Sequence, residues 1–438
     1  MKRKVLSIIL VLLLTVVGAC SNSSETQGSA DSNTTSEGKK VKLTTAVFAA
    51  DAEATQGWMT EIAEQIGVEI DIQVLPDGDQ NEQLYKTKAA TKSLPDITLY
   101  HPGTRFKSDL VPEENLVDLT EQSWVKQLSD TSPYSIDGKV YGAPMGGGMG
   151  VGIFYNKELF DNLGLEVPTT VDEMMKVAKT IKQESDVIPF YVSGENPMGL
   201  NSLGLASFAV DEAHNENLVK EINDKKATVM DAKHFIQSHQ MLEDLNNEKL
   251  INSDYLSASL EHAITALVEG KTAMFLTADF ITNLLSASYS DDELNKLGFF
   301  PYPSEGKNVY AYKPGYALSV SKTSKHQEKA IEFMNYFMTK EGQQIFLDNN
   351  RGFKTPALAG LELDTSNSNE LFKSMSKVYA ENTPIEMFDG TLIASPGIWG
   401  SVVQEMLIGD RTPEEVAQFI QSTIEQNAKA EGVPAFTD

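Results

Sequence analysis

Cysteine is nearly absent from this 438-residue chain: Cys20 is its only one. No internal disulfide can form and no cysteine-built metal site exists, so stability must come from an apolar core. Histidine is scarce too, with six residues scattered along the chain. His234 and His239 stand five apart, a spacing that does not stack two ligands on one helical face. Basic residues number 36 against 62 acidic ones, for a formal charge of −26. A body this acidic repels phosphate backbones and anionic lipid, which argues against nucleic acid as a partner. After Val17 no apolar run reaches the roughly 20 residues that a membrane helix needs. Complete catalytic motifs are also missing. Gly270-Lys271-Thr272 lacks the glycine that a phosphate loop requires, since Thr265 stands there. The glycines at 146–150 are followed by Val151, where a dinucleotide fingerprint needs a third glycine. Asp77, Asp79 and Asn81 meet Glu82 and Lys88, where a calcium loop needs a glycine and an acid. Neither a cofactor, a metal nor an enzymatic activity is expected.

What is present begins with a targeting segment. Lys2, Arg3 and Lys4 precede an almost unbroken apolar run, Val5 to Val17, which ends in Val17-Gly18-Ala19-Cys20. That tetrapeptide resembles the lipobox of bacterial lipoproteins. Residues 1–19 are therefore expected to be a signal peptide, and Cys20 to receive lipid and become the N-terminus. Residues 20–39 then read as a lipidated Cys and a tether, because Ser, Asn, Thr, Gly and acid offer nothing to bury. Such a tether holds a body at the extracellular face of the cell membrane.

The rest of the chain is longer than one core usually spans, so two lobes are expected. Val41 to Phe48 and Val68 to Val74 alternate as strands; Trp58 to Ile66 carries apolar residues at helical spacing; Glu82 to Thr91 is helical and Asp96 to Tyr100 extended. That βαβαβ order predicts a parallel sheet covered by helices. Beyond the glycine run, Val151 to Tyr155, Pro189 to Val192, Met274 to Leu276 and Tyr316 to Val320 read as strands. Val171 to Glu184, 232–245, 257–269, Gln327 to Met338 and Pro413 to Lys429 read as helices.

Longer strings carry a resemblance. Asp137-Gly138-Lys139-Val140-Tyr141-Gly142-Ala143-Pro144 followed by Phe154-Tyr155-Asn156-Lys157-Glu158-Leu159-Phe160 is similar to the hallmark of family 1 extracellular solute-binding proteins. These are the carbohydrate-binding components of ABC importers, related to maltose-binding protein. Leu94-Pro95-Asp96-Ile97, Gly270 to Met274, Gly315 to Val320, Ala330 to Met334 and the tail Met406 to Val416 match in the same order. The resemblance implies an α/β, two-lobed periplasmic-binding-protein fold of the class II type, with a ligand cleft between lobes that the chain links by crossing near 146–152, 312–317 and 373–380. Lobe one is then 40–147 plus 317–373, and lobe two 152–312 plus 380–438. The implied function is capture of a sugar or oligosaccharide and delivery to the transmembrane subunits of an ABC permease, by a monomer. The same fold could instead hold a polyamine, an iron chelate or a peptide, and a lipid-anchored hydrolase is the rival from another class.

A sugar cleft needs aromatic rings for the C–H faces of pyranoses and polar side chains for their hydroxyls, placed where strands end. Trp58 follows the first strand. Tyr100 and His101 end the third, with Arg105 behind them, and the resemblance puts Tyr100 at a ligand-contacting aromatic position. Glu195 and Asn196 follow the strand Pro189 to Val192. Asp279 and Phe280 follow the strand at Met274; the family often has a Trp where Phe280 stands. Trp399, in Ser395-Pro396-Gly397-Ile398-Trp399-Gly400, falls where the family often presents an aromatic. Gly146, Gly147, Gly148 and Gly150 are the candidate hinge.

Overall fold

Burial alternates at the start of Lys42–Phe48 and is complete along Ile97–Tyr100, and helical stripes cover these strands. The computed structural model describes residues 40–437 except 49–51, 76–78, 129, 147, 351, 353, 359, 362 and 367. The leader, Cys20, the tether and Gly147 therefore lie outside the described residues.

In chain order, β1 (Lys42–Phe48), β2 (Glu69–Leu75) and β3 (Ile97–Tyr100) are followed by a small hairpin, β4 (Ser135–Ile136) and β5 (Lys139–Val140), and by β6 (Ala143–Pro144). A second group follows: β7 (Met149–Asn156), β8 (Ile188–Tyr191), β9 (Thr272–Ala278), β10 (Leu297–Pro301) and β11 (Val309–Lys313). Then come β12 (Ala317–Val320) and β13 (Thr383–Glu386). Among the described residues these strands form a five-stranded sheet ordered β2-β1-β3-β12-β6 and a six-stranded sheet ordered β13-β11-β7-β9-β8, with β10 also on β7. β1 runs parallel to β2 and β3, whereas β12 runs antiparallel to β3 and β6. The βαβαβ reading holds, and a returning strand is inserted beside it.

The helix Ala52–Gln65 buries Trp58, Met59, Ile62 and Ala63, residues spaced to share one face. With Phe333, Phe337 and Phe346 they cover one face of the first sheet, while Tyr85, Phe106 and Leu110 cover the other. On the second sheet, one face carries the helices Val171–Glu184, Pro197–His214, Lys233–Asn247, Gly400–Leu407 and Pro413–Ala430. The opposite face carries Leu260–Val268, Ile281–Ser288 and Glu370–Glu381. The helices Val171–Glu184 and Pro413–Ala430 start on full capping boxes, Thr170 with Glu173 and Thr412 with Glu415, which satisfy amides that a helix start leaves unpaired.

The chain passes between the sheets from β6 to β7, from β11 to β12, and from the helix Lys340–Asn349 to the helix Glu370–Glu381. The last passage corrects the expected crossing at 373–380. Leu371 and Met375 are fully buried in the second sheet's core, with Phe372, Val378 and Tyr379 packed against it. Burial of that stripe places the whole helix there, so the crossing precedes residue 370. Among the described residues no helix is long and apolar enough to cross a membrane.

Candidate ligand-binding site

The carboxyl ends of β1 and β3 meet the start of β12 at a cluster of rings. Ala317 pairs with Tyr100 in the register of β12 and β3. This brings Tyr316 next to the residues that follow β3. Phe48, His101 and Tyr316 lie with ring centroids 5.4, 4.7 and 5.0 Å apart (Phe48–His101, Phe48–Tyr316 and His101–Tyr316). Phe48 is buried; His101 and Tyr316 are half-buried and keep part of their surface open. Burial pushes the His101 pKa down to about 4, and the positive charges of Arg105 and Lys313 add to the effect. The imidazole is therefore neutral at physiological pH, an uncharged ring with one donor and one acceptor nitrogen.

Facing this cluster are the ends of β11 and β13 and the short helix Phe388–Thr391. Lys313 Nζ lies 3.9 Å from Asp389 Oδ2. The Oδ1 atom of Asp389 is sealed from solvent and has no hydrogen-bond partner. Burial raises the Asp389 pKa, against the pull of Lys313 and Arg105. Burial likewise pushes Glu386 up to about 7, helped by Asp130 and Asp389 and opposed by Lys107 and Lys313. Tyr134 donates to the Gly315 carbonyl across 3.2 Å. A methyl group placed on Gly103 would stand 3.8 Å from the Gly390 carbonyl, so the two sheets' loops approach closely here. Half-buried rings thus sit beside charged groups of both signs, drawn from both sheets.

A second junction lies at the end of β9. The Asp279 carboxylate is buried, and its Oδ2 accepts from the Gly150 amide at 2.9 Å and from the Tyr379 hydroxyl at 2.8 Å. Burial pushes its pKa up to about 6 despite those bonds and a nearby Lys354. A methyl group on Gly150 would lie 2.2 Å from the Tyr379 hydroxyl oxygen, and one on Gly148 would lie 2.0 Å from the Tyr312 ring. Close approach of tyrosine rings requires these two glycines. Gly146, with φ of 102°, needs glycine for its backbone conformation.

Several expected contacts are core residues instead. Trp58 is 0% exposed, wedged between Phe337, Phe346 and Phe333 at centroid distances of 4.9, 5.7 and 6.2 Å. Trp399 is 1% exposed beside Phe388, and its indole N–H has no partner. The loop turns Ile398 to solvent, at 54% exposure. Tyr100 is fully buried and donates to Asp109 across 2.6 Å. None of these three rings has a face left for a solute. His101 and Arg105 lie in the ring-and-charge cluster. Glu195 and Asn196 are exposed in a loop after β8, fixed by hydrogen bonds that the Gly194 and Glu195 amides donate to the Tyr255 and Ala258 carbonyls. Phe280, 44% exposed, stands at the end of neighbouring β9. Tyr316, Lys313, Glu386 and Asp389 were not foreseen. Lys313 and Tyr316 frame the Gly315 motif, whereas 383–391 shows no local pattern.

Two mixed sheets sandwiched by helices, linked by repeated crossings and carrying rings and charges where their strand ends meet, define a two-lobed solute-binding protein. A profile of the bacterial extracellular solute-binding protein family matches residues 49–344, and the chain belongs to that family. The multiple sugar-binding protein of Streptococcus mutans is 25% identical over 272 residues, 60% of this chain and 63% of that protein. The melibiose/raffinose/stachyose-binding protein MelE of Bacillus subtilis is 24% identical over 358 residues, 78% of this chain and 79% of that protein. The putative binding protein msme from Bacillus subtilis, solved in an open conformation, superposes with a TM-score of 0.73 over 91% of this chain and 100% of its own, at 19% identity.

Proposed function

We propose that this protein captures an oligosaccharide between its two sheets and delivers it, unaltered, to the membrane subunits of an ABC importer. The observation that carries this reading is the cluster of His101, Tyr316 and Phe48 beside Arg105, Lys313, Glu386 and Asp389. Rings cover the apolar faces of sugars, and charged side chains take the hydroxyls. Phe280, Glu195 and Asn196, at the ends of β9 and β8, extend the surface on the second sheet. Relatives named for multiple sugars and for melibiose, raffinose and stachyose support the same solute class. The lobes are 40–147 plus 317 to the helix ending at Asn349, and 152–312 plus 370–438, rotating about the crossings to close on solute. Lipid on Cys20 and the tether to residue 39 keep a monomeric body at the outer face of the membrane.

The test is a melting-temperature screen with melibiose, raffinose, stachyose, diacetylchitobiose and fructo-oligosaccharides, with spermidine as the cationic comparison. A solute bound only by the native state raises the melting temperature by mass action. At least one sugar should do so and be recovered intact. A shift with spermidine alone, or hydrolysis of the bound sugar, overturns the reading.

A further inference from the structure

We propose that His214, His234 and Glu305 form a binding site for a divalent transition metal such as Zn²⁺. The site lies where the end of the helix Pro197–His214 and the start of the helix Lys233–Asn247 meet the turn between β10 and β11. It shares no residue with the ring-and-charge cluster, and it is independent of sugar capture.

The two histidines come from different helices and meet in space. Their rings stack, with centroids 4.8 Å apart and planes at 24°. Both Nε2 edges face the same turn: that of His214 lies 3.4 Å from the Ser304 carbonyl oxygen, and that of His234 lies 3.7 Å from Glu305 Oε2. The turn is itself held, since the Glu305 amide donates to the Thr169 carbonyl at 3.3 Å. Asp211 sets the tautomer of His234. Its buried carboxylate accepts from the His234 and Phe235 amides at 2.9 and 2.8 Å, and from Nδ1 of the His234 ring at 2.8 Å. Nδ1 therefore carries the hydrogen, and Nε2 turns its lone pair toward the Glu305 carboxylate. Two acceptors facing each other repel unless a cation lies between them. Their separation suits a metal: two donor atoms, each about 2.1 Å from one zinc in a tetrahedral site, stand about 3.4 Å apart. Asp211 takes the place of the carboxylate that orients a metal-bound imidazole from behind and raises its basicity. As they stand, no three such side chains among the described residues surround one point. Closing the site takes a turn of the His214 ring and of the Glu305 carboxylate, and both residues are exposed. Lys226 and Lys233 border the same hollow against Glu221 and Asp231, so these flanking charges cancel. Nitrogen donors select a transition metal over calcium and magnesium, which take oxygen. The proton is the rival cation. The hydrogen bond to Asp211 raises the His234 pKa against the effect of burial, and the charge of Glu305 adds to the rise. Zinc therefore gains on the proton as pH rises.

Calorimetry of Zn²⁺ into the metal-free full chain, carrying no histidine tag, tests this at about pH 8, where the proton competes least. One Zn²⁺ should bind per chain and raise the melting temperature. Co²⁺ in its place should show the visible absorption of a four-coordinate site. Asp211→Asn should weaken Zn²⁺ binding by about tenfold to a hundredfold, and His214→Ala and His234→Gln by at least as much. Because His214 is exposed, His214→Ala should keep the metal-free melting temperature of the wild type, which separates a lost ligand from a lost fold. Failure to bind one Zn²⁺ per chain overturns the proposal. Binding that His214→Ala and His234→Gln leave unchanged overturns it too, since the metal then sits elsewhere.

Discussion

Tyr379 donates its phenolic hydrogen to Oδ2 of Asp279 across 2.8 Å. The same oxygen takes the Gly150 amide at 2.9 Å, and the Asp279 amide returns a bond to the Gly150 carbonyl at 2.9 Å. One carboxylate therefore ties the strand that leaves the first crossing to the helix that follows the last.

Burial of that carboxylate makes stability depend on pH. Burial raises Asp279 from 3.8 to about 6 in the folded protein. Between those values the folded state holds a proton that the unfolded state has released, so the contribution is full below about 3.8 and is lost as pH rises through about 6. Asp279→Asn keeps an oxygen for both donors and removes the titration. Its stability relative to the wild type should rise by about 2 kcal/mol between roughly pH 4 and pH 7.5. Urea unfolding at several pH values reads this directly, and a pH-independent difference counts against it.

The tryptophans should behave as packing residues. Trp58→Ala and Trp399→Ala each leave a large void and should cost about 3–5 kcal/mol of stability. Sugar affinity, measured below the melting temperature, should stay within about twofold of the wild type, well under the change expected from losing a stacked ring.

Gly150 should be coupled to Tyr379. Its φ is not in the left-handed region, so what opposes alanine is the phenol ring. Gly150→Ala should cost about 1–3 kcal/mol in the wild type and clearly less in a Tyr379→Ala background, a coupling that a double-mutant cycle measures. Equal costs in both backgrounds would mean that chain freedom, not contact, fixes this glycine.

On the proposed anchor, a diacyl group on the Cys20 thiol would supply the two chains that stable anchoring takes, so Cys20→Ser should appear in the culture supernatant with unchanged sugar affinity. Retention of the variant in washed membranes would refute the anchor.

The fold was legible where local signals agreed. Thr170, Glu173 and the stripe Met174, Val177, Ala178 and Ile181 gave one helix its start and its buried face together. The site was legible only in part. Strand-end position located His101 and Arg105, but it does not say which way a ring points. Trp58 shares the stripe of Met59 and Ile62, and Trp399 that of Val402, Val403 and Met406. Helical spacing was the stronger cue, and the flanking Pro396 and Gly397 obscured it. Glu386 and Asp389 come to the junction because β13 pairs in parallel with β11, about 70 residues upstream. No short-range pattern encodes that pairing.

β6 and β12 are direct neighbours in the first sheet, yet roughly 170 residues separate them, and that interval contains β7 to β11. On a ribosome adding about 5–20 residues per second, β12 therefore emerges roughly 10–30 s after β6. During that interval β3 has an open edge where its inner neighbour belongs. The second sheet waits in turn for β13, made about 70 residues after its neighbour β11. Neither sheet can therefore complete its hydrogen bonding until strands far apart in the chain have both been made.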